Sequence, residues 1–280
     1  MKPNLKNLLT ALIAANSIGI CPTGRCANTE IGIQLLEDVS GSEIEKHGIK
    51  PAGFNEMHLF GDVIFNARKS GSLNFDVVDE NGADNSPLHF FVAPFESTVP
   101  TVPAFKGMSV KEKKLALKKF ETDKAEFIKL NHEWRAKFIE GAKVWFDECV
   151  VQRMTVEGRF LEQLKANKNK DFRRSDILGA VQKANQQLSE SKKRFLVLNS
   201  DLDHKPGKTA PEQKLRALGE SDLSRDVVIV IVNQSQEPDK SPILKGLPNK
   251  VLHAETLQQA AELIAKELGV PTPEPMTSDE

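Results

Sequence analysis

The amino-acid sequence predicts an α/β fold built on an open, mostly parallel sheet with helices packed against it. Short apolar segments rich in Val, Ile and Leu alternate along the chain with longer amphipathic segments, which is the pattern of such folds. The segments 195–198 and 227–232 are continuously apolar, as is typical of strands buried on both faces of a parallel sheet. In addition, two of the predicted strands end in acidic and hydroxyl-bearing side chains.

The overall composition is that of an ordinary globular protein. The chain has 280 residues, of which 39% are hydrophobic and 28% are charged. Lys and Arg total 38 against 39 Asp and Glu, so the net charge of −1 gives no general reason to expect a nucleic acid or an anionic membrane as partner. We therefore predict no nucleic-acid partner and leave membrane contact open. No apolar run approaches the roughly 20 residues that a membrane-spanning helix needs.

The N-terminal segment 1–27 differs in character from the rest. Lys2 and Lys6 are followed by a short apolar run over residues 8–20, which is the pattern of a secretory signal. This favours export, to a periplasm or the extracellular space. The alternative is an amphipathic helix that docks on the domain of a cytoplasmic protein.

The first half of the predicted sheet lies between residues 31 and 95. A strand is predicted over 31–38, where an apolar run of β character precedes Asp38. An amphipathic helix is predicted over 54–68, because its apolar residues recur at intervals of three and four. Gly71 is predicted to end this helix, because glycine is common just after a helix. Strands over 72–79 and 87–95 are close enough in sequence to pair antiparallel.

A helical insertion is predicted over 108–168, where the chain is dense in Lys, Glu, Ala and Leu and contains no Pro. Ser109 and Glu112 have the spacing of a capping box at its start. We expect one or two long helices, with Gly141 or Gly158 as breaks. Their buried stripe would contain Phe120, Phe127, Trp134, Phe138, Ala142, Trp145 and Cys149.

The remaining elements complete the alternation of helices and strands. A helix capped by Ser175 or Asp176 is predicted to run to Leu188. Strands are predicted over 192–199, 226–233 and 248–254, and a closing helix over 256–268 with Gly269 as its stop. The acidic, Pro-rich tail 271–280 is predicted to be disordered.

The stretch after the first strand contains candidate metal ligands. Asp38, Ser40 and Ser42 occupy positions i, i+2 and i+4, and a tight loop at a strand end can direct their three oxygens to one point. A carboxylate and two hydroxyls are hard ligands that suit Mg²⁺, Mn²⁺ or Ca²⁺ better than Zn²⁺. The alternative is an ordinary turn in which Asp38 or Ser40 caps the next helix.

Three loops with oxygen-bearing side chains follow one another along the chain: the Asp38-x-Ser40-x-Ser42 loop, the Ser175 loop that opens a helix, and the strand end before Asp201. In this order they resemble the von Willebrand factor type A (vWA) domain and its metal-ion-dependent adhesion site (MIDAS). Leu202 stands where the family usually has Gly, which leaves a choice between Asp201 and Asp203. The resemblance implies a doubly wound, mostly parallel open sheet of the Rossmann-like kind over residues 28–270, interrupted by the helical insertion.

The resemblance also implies a function. Ser40 and Ser42 would bind the divalent ion, Mg²⁺ or alternatively Mn²⁺ or Ca²⁺, directly, and Ser175 would do so in one state. Asp38 and Asp201 would bind it directly or through water. One open position would then accept an acidic side chain of another protein. The expected function is a metal-dependent protein-binding module for adhesion or assembly.

Two other functions remain as alternatives. A metal-independent structural or assembly component would bind its partner through the helical insertion. The other alternative is an enzyme that uses Asp38 for metal-dependent phosphoryl transfer or hydrolysis. It is not the predicted function, because the sequence contains no Walker loop and no Gly-x-Ser-x-Gly. His47, His58 and His204 flank the loops, and we interpret each as a surface or packing residue.

Overall fold

The computed structural model describes residues 19–20, 29–38, 52–79, 88–95, 97–166, 175–200, 202, 218–220, 222–232 and 241–273. Four groups of sequence predictions lie outside these residues: the signal pattern except Gly19 and Ile20, the ligands Ser40, Ser42 and Asp201 with the neighbouring Asp203, the histidines His47 and His204, and most of the acidic tail.

Within the described residues, the centre of the fold is one mixed sheet of seven strands, and most neighbouring strands are parallel. The strands are β1 (Gly19–Ile20), β2 (Ile31–Asp38), β3 (Gly71–Val78), β4 (Leu88–Val92), β5 (Lys193–Asn199), β6 (Val227–Val232) and β7 (Val251–Ala254). Their order is β1-β4-β3-β2-β5-β6-β7. β4 pairs antiparallel with β3, and β1 pairs antiparallel with β4. The predicted α/β fold with a mostly parallel sheet and its predicted antiparallel pair are confirmed.

Four α-helices accompany the sheet within the described residues. They are α1 (Phe54–Asn66), α2 (Val110–Ala166), α3 (Ile177–Leu188) and α4 (Leu257–Leu268). Thr256 caps α4 through the Gln259 amide, and Gly269 ends it in the left-handed conformation with φ 67°. None of these helices is both long and apolar enough to cross a lipid bilayer.

The sheet carries a hydrophobic core on each face. Since side chains alternate along a strand, Ile33 and Leu35 of β2 point to one face and Leu36 points to the other. The first face packs against α1, α2 and α4. The second face packs against α3 and includes Leu196, Leu198 and Ile229 of the neighbouring strands. Both faces of the central strands are therefore buried, which explains their continuously apolar sequences.

The long helix α2 runs unbroken for 57 residues, through both Gly141 and Gly158. Its capping box forms as predicted: the Ser109 amide donates to Glu112 Oε2 at 2.7 Å, and the Glu112 amide donates to Ser109 Oγ at 3.4 Å. From Trp134 onward the predicted stripe packs in the core, where Trp134 stacks on Phe138 and Trp145 stacks on Phe90 of β4. Phe120 and Phe127, predicted in the same stripe, are half-buried rather than buried. Cys149 is fully buried, as predicted for a core residue, and burial raises the pKa of its thiol.

The predicted end of the first helix is wrong. α1 ends at Asn66 with Ala67 as its C-cap, and the left-handed residue nearby is Arg68, with φ 52°. Gly71 instead begins β3, where a Cβ would lie 2.3 Å from the side chain of Ile64 and 3.2 Å from the Ile31 carbonyl oxygen. Glycine is therefore present because the backbone passes close to its neighbours, and not because it stops a helix.

Candidate functional site

Asp38 ends β2 at the carboxyl edge of the sheet and is 3% exposed. In the sheet β2 lies between β3 and β5, and Asp38 is paired in register with Val78 of β3. From β2 the chain continues to β3 on one side, and it later returns to β5 on the other side. In open α/β sheets this is the position at which ligands bind.

Two serine hydroxyls from distant parts of the chain donate hydrogen bonds to the Asp38 carboxylate. Ser175 Oγ lies 3.0 Å from Oδ1 and is 137 residues away in sequence. Ser200 Oγ lies 2.9 Å from Oδ2 and is 162 residues away. All three side chains are buried. Each carboxylate oxygen thus accepts a charge-assisted bond in a water-poor setting, where such bonds are strongest.

Ser175 is placed by the start of α3. The Asp176 amide donates to the Asp79 carbonyl at 2.7 Å, which fixes the entry of α3 to the end of β3. The Asp176 side chain then accepts from the Gly179 amide at 2.9 Å, so Asp176 is the N-cap. Of the two predicted caps, Asp176 is correct, and Ser175 just before it is left to bind Asp38.

Ser200 is placed by the turn that follows β5. The Leu202 amide donates to Ser200 Oγ at 3.0 Å, while the same hydroxyl donates to Asp38. Leu202 is left-handed, with φ 62°, and its side chain is 5% exposed within the core that packs on α3. This is the position at which glycine was expected, so Leu202 keeps the conformation that favours glycine although it carries a side chain.

The described residues bring together two of the five predicted ligands, Asp38 and Ser175. The other three, Ser40, Ser42 and Asp201, lie outside the described residues, although both neighbours of Asp201 are described. Ser200 was not among the predicted ligands. Its signal in the sequence is a hydroxyl side chain directly after a buried strand, next to the candidate Asp201.

The side chains of Asp38, Ser175 and Ser200 are of the chemical type that binds a hard divalent cation. A carboxylate and two hydroxyls present only oxygen atoms, which Mg²⁺ and Ca²⁺ prefer. A serine hydroxyl that donates its proton to Asp38 keeps lone pairs for a second interaction. Within the described part of the chain, no group of three or more His, Cys, Asp or Glu side chains is arranged to hold a metal.

A second polar cluster lies on the opposite face of the same strand end. Glu37 is 1% exposed; its Oε1 accepts from the Ala52 amide at 2.7 Å and lies 3.6 Å from Arg153 Nη1 of α2. Burial raises the pKa of Glu37 to about 7, and Arg153 counters this only in part. Among the described residues, Glu37 Oε2 and the side-chain nitrogen Nδ2 of Asn199, the register partner of Glu37 on β5, are buried and have no hydrogen-bond partner.

A third buried charge lies on the face of the sheet that packs against α3, beside Leu36, two residues before Asp38 on β2. Asp76 of β3 is 2% exposed, and its Oδ2 lies 3.1 Å from Lys183 Nζ of α3. Burial raises the pKa of Asp76 to about 6 despite the lysine. The ion pair joins α3, and with it Ser175, to the sheet.

His58 is a packing residue, as predicted. Its ring contacts those of Phe54 and Phe138, with centroid distances of 5.8 and 5.6 Å, and the side chain is fully buried. Burial, with smaller contributions from Arg135 and Lys143, lowers the pKa of His58 to about 4. The imidazole is therefore neutral at pH 7, including where it approaches Asp62 at 3.7 Å.

Searches with this chain gave no matching protein family, no matching curated protein and no matching solved structure.

Proposed function

We propose that this protein is a metal-ion-dependent protein-binding module, in which a divalent cation at the end of β2 accepts an acidic side chain of a partner protein. The observation that carries the proposal is the Asp38 carboxylate with the hydroxyls of Ser175 and Ser200, drawn from three separate strand and helix ends. An oxygen-only cluster at this edge of the sheet is what a vWA-type metal site requires.

The strand order supports the same proposal. Leaving aside the two-residue β1, β2 is followed by β3 and the antiparallel β4 on one side and by β5, β6 and β7 on the other. This is the order of a doubly wound sheet with an antiparallel edge strand, and it agrees with the vWA arrangement inferred from the three loops. In this proposal α2 is the helical insertion.

The conformation of Leu202 supports the choice of Asp201 over Asp203. A left-handed residue directly after the aspartate is what the Gly of the family pattern supplies, and Leu202 has that conformation. Asp201 also directly follows Ser200, whose hydroxyl reaches Asp38. In this proposal Ser40, Ser42 and Ser175 would hold the ion, and Asp38 and Asp201 would hold it directly or through water.

The ion would supply a positive charge to which a carboxylate of a partner protein could bind. The chain's own residues would hold and orient it: the two hydroxyl bonds fix the Asp38 carboxylate, and the helix start at Asp176 fixes Ser175. The positive charge of the ion would attract a partner carboxylate, and this binding would need no catalytic group.

The test is a Mg²⁺ and Mn²⁺ titration of the full chain, followed by thermal unfolding and by calorimetry. Binding to the native state alone raises the unfolding temperature as the free ion exceeds its dissociation constant. We expect this rise in the unaltered protein and in Asp147→Asn, a matched change of an exposed carboxylate on α2. We expect no rise in Asp38→Asn.

Three results would overturn the proposal. They are the absence of a metal-dependent rise in the unaltered protein, an equal rise in Asp38→Asn, or an equal loss of the rise in Asp147→Asn. The alternative, a metal-independent component that binds through α2, predicts no metal-dependent rise and no effect of chelation on the partner interaction.

We also propose that the protein is exported, on the support of the N-terminal pattern at residues 1–27. Mass spectrometry of the protein recovered from cells and medium would locate its N-terminus. Recovery only from the cytoplasm, with Met1 or Lys2 at the N-terminus, would contradict export.

A further inference from the structure

The start of α2, with the segment before it, forms an exposed surface that the proposed metal site does not use. We call residues 97–119 the arm tip. From Val110 to Lys119 every side chain is exposed except Ala116, which is half-buried. The aromatic contacts that hold α2 against the domain begin at Phe127, which meets Phe95 at 5.7 Å. The exposed start of α2 therefore extends about 25 Å before that contact.

The charge of the arm tip differs from that of the whole chain. It contains six lysines and one glutamate, a net charge of +5, in a protein whose total is −1. All six lysines are exposed. Lys111, Lys114 and Lys118 have the i, i+3, i+7 spacing that places side chains on one face of a helix. A positive field of this kind attracts an anionic surface.

The arm tip also concentrates exposed apolar side chains. The described residues contain eleven exposed large hydrophobic side chains, and six of them lie in this short segment. Val110 is 85% exposed and Leu115 is 70% exposed. Val110 and Leu117, seven residues apart, border the lysine face. The six are Val99, Val102, Met108, Val110, Leu115 and Leu117.

From this combination we infer that the arm tip docks on an anionic lipid surface, with its lysines at the headgroups and Val110 and Leu117 at the acyl boundary. Lysines attract anionic headgroups, and apolar side chains add binding by entering the interface. A phosphate backbone would account for the lysines, but it offers no apolar layer to bury the exposed valines and leucines. The arm tip also contains no arginine and no exposed aromatic ring, the side chains with which proteins usually read or stack on nucleic acids.

The experiment compares full-length variants for sedimentation with vesicles. One set of vesicles is phosphatidylcholine alone, and the other is phosphatidylcholine with an equal part of phosphatidylglycerol. Lys111, Lys114 and Lys118 are replaced together by Gln, which keeps the helix propensity and removes the charge. The matched control replaces Lys137, Lys193 and Lys245, which are exposed elsewhere. The N-terminal apolar run is common to both variants, so the difference between them reports on the arm tip.

A second pair of variants tests the apolar contribution. Val110→Ser with Leu117→Gln is compared with Val144→Ser and Val151→Ser, whose side chains are also exposed on α2. Circular dichroism confirms the fold of every variant, and the apolar pair carries the test if the lysine variant does not fold. Each lysine near an anionic surface contributes about a factor of five, so we expect the triple lysine variant to bind anionic vesicles about a hundredfold more weakly. We expect the apolar variant to bind at least about threefold more weakly.

Several outcomes would overturn the inference. One is equal binding to both kinds of vesicle. Another is an equal loss of binding in a variant and its control. A third is binding to duplex DNA that depends on the same lysines while vesicle binding does not change with the apolar pair, because this would assign the lysine face to nucleic acid.

Discussion

Replacing Ser200 with alanine tests whether the buried serine holds the Asp38 carboxylate. The change removes the donor at 2.9 Å from Oδ2 and also removes the acceptor for the Leu202 amide at 3.0 Å. A hydrogen bond to a charged group contributes about 1.5–3 kcal/mol, and a buried amide that loses its acceptor costs about 1–3 kcal/mol. Because the two effects share one side chain and do not add fully, we expect a loss of about 2–4 kcal/mol.

The assay is urea unfolding at pH 7, followed by circular dichroism without added metal. The matched control is Ser189→Ala, which removes an exposed hydroxyl bonded to the Gln186 carbonyl at 2.6 Å and should cost less than about 0.5 kcal/mol. If Ser200→Ala costs no more than the control, the Ser200 hydroxyl does not hold Asp38, and the geometry on which the proposed metal site depends is wrong.

Three further predictions concern neighbouring parts of the fold. Burial raises the pKa of Glu37 from 4.5 to about 7, so its neutral form favours the native state, and stability should fall by about 3 kcal/mol as pH rises from 4.5 to above 7. Urea titrations should show this fall reduced in Glu37→Gln, and an unchanged fall would contradict it. Leu202→Gly should be about 1 kcal/mol more stable than Leu202→Ala, against the usual order, because φ is 62°; an unfolding temperature that is higher for the alanine variant would refute this. Gly61→Ala should cost about 1–3 kcal/mol, since its Cβ would lie 2.4 Å from Phe138 Cζ, whereas Gly158→Ala faces open space and should stabilise by about 0.5–1 kcal/mol. Calorimetry of the two variants checks the opposite signs.

The elements that the sequence predicted best are those with a local cause. The capping box of Ser109 and Glu112, the stop at Gly269 and the buried position of Cys149 all follow from periodicity or from a few neighbouring residues. The meeting of Asp38 with Ser175 was predicted through the resemblance of three loops, and the described structure brings these two side chains together.

Other features depend on tertiary contacts that no local pattern specifies. Gly71 begins a strand because Ile64 and the Ile31 carbonyl leave no room for a side chain, which is visible only once helix and sheet are packed. Arg153 contacts the Ala52 carbonyl, 101 residues away, and Glu37, because α2 packs on the face of the sheet to which Glu37 points. The signal in the sequence was Glu37, a charged residue directly after the apolar pair Leu35–Leu36 in β2, but the sequence did not indicate which residue it would pair with.

The unbroken course of α2 has a mechanical consequence. An α-helix resists bending, so about 65 Å of rod connects Val110 at its exposed start with Arg153, which contacts the strand end at Glu37. Phe138 and Trp145 lie between these two residues and are fully buried, so they anchor the helix in the densely packed interior. A force on the exposed start of α2 would therefore be transmitted along the helix to Arg153 and to its contact with Glu37 at the sheet edge.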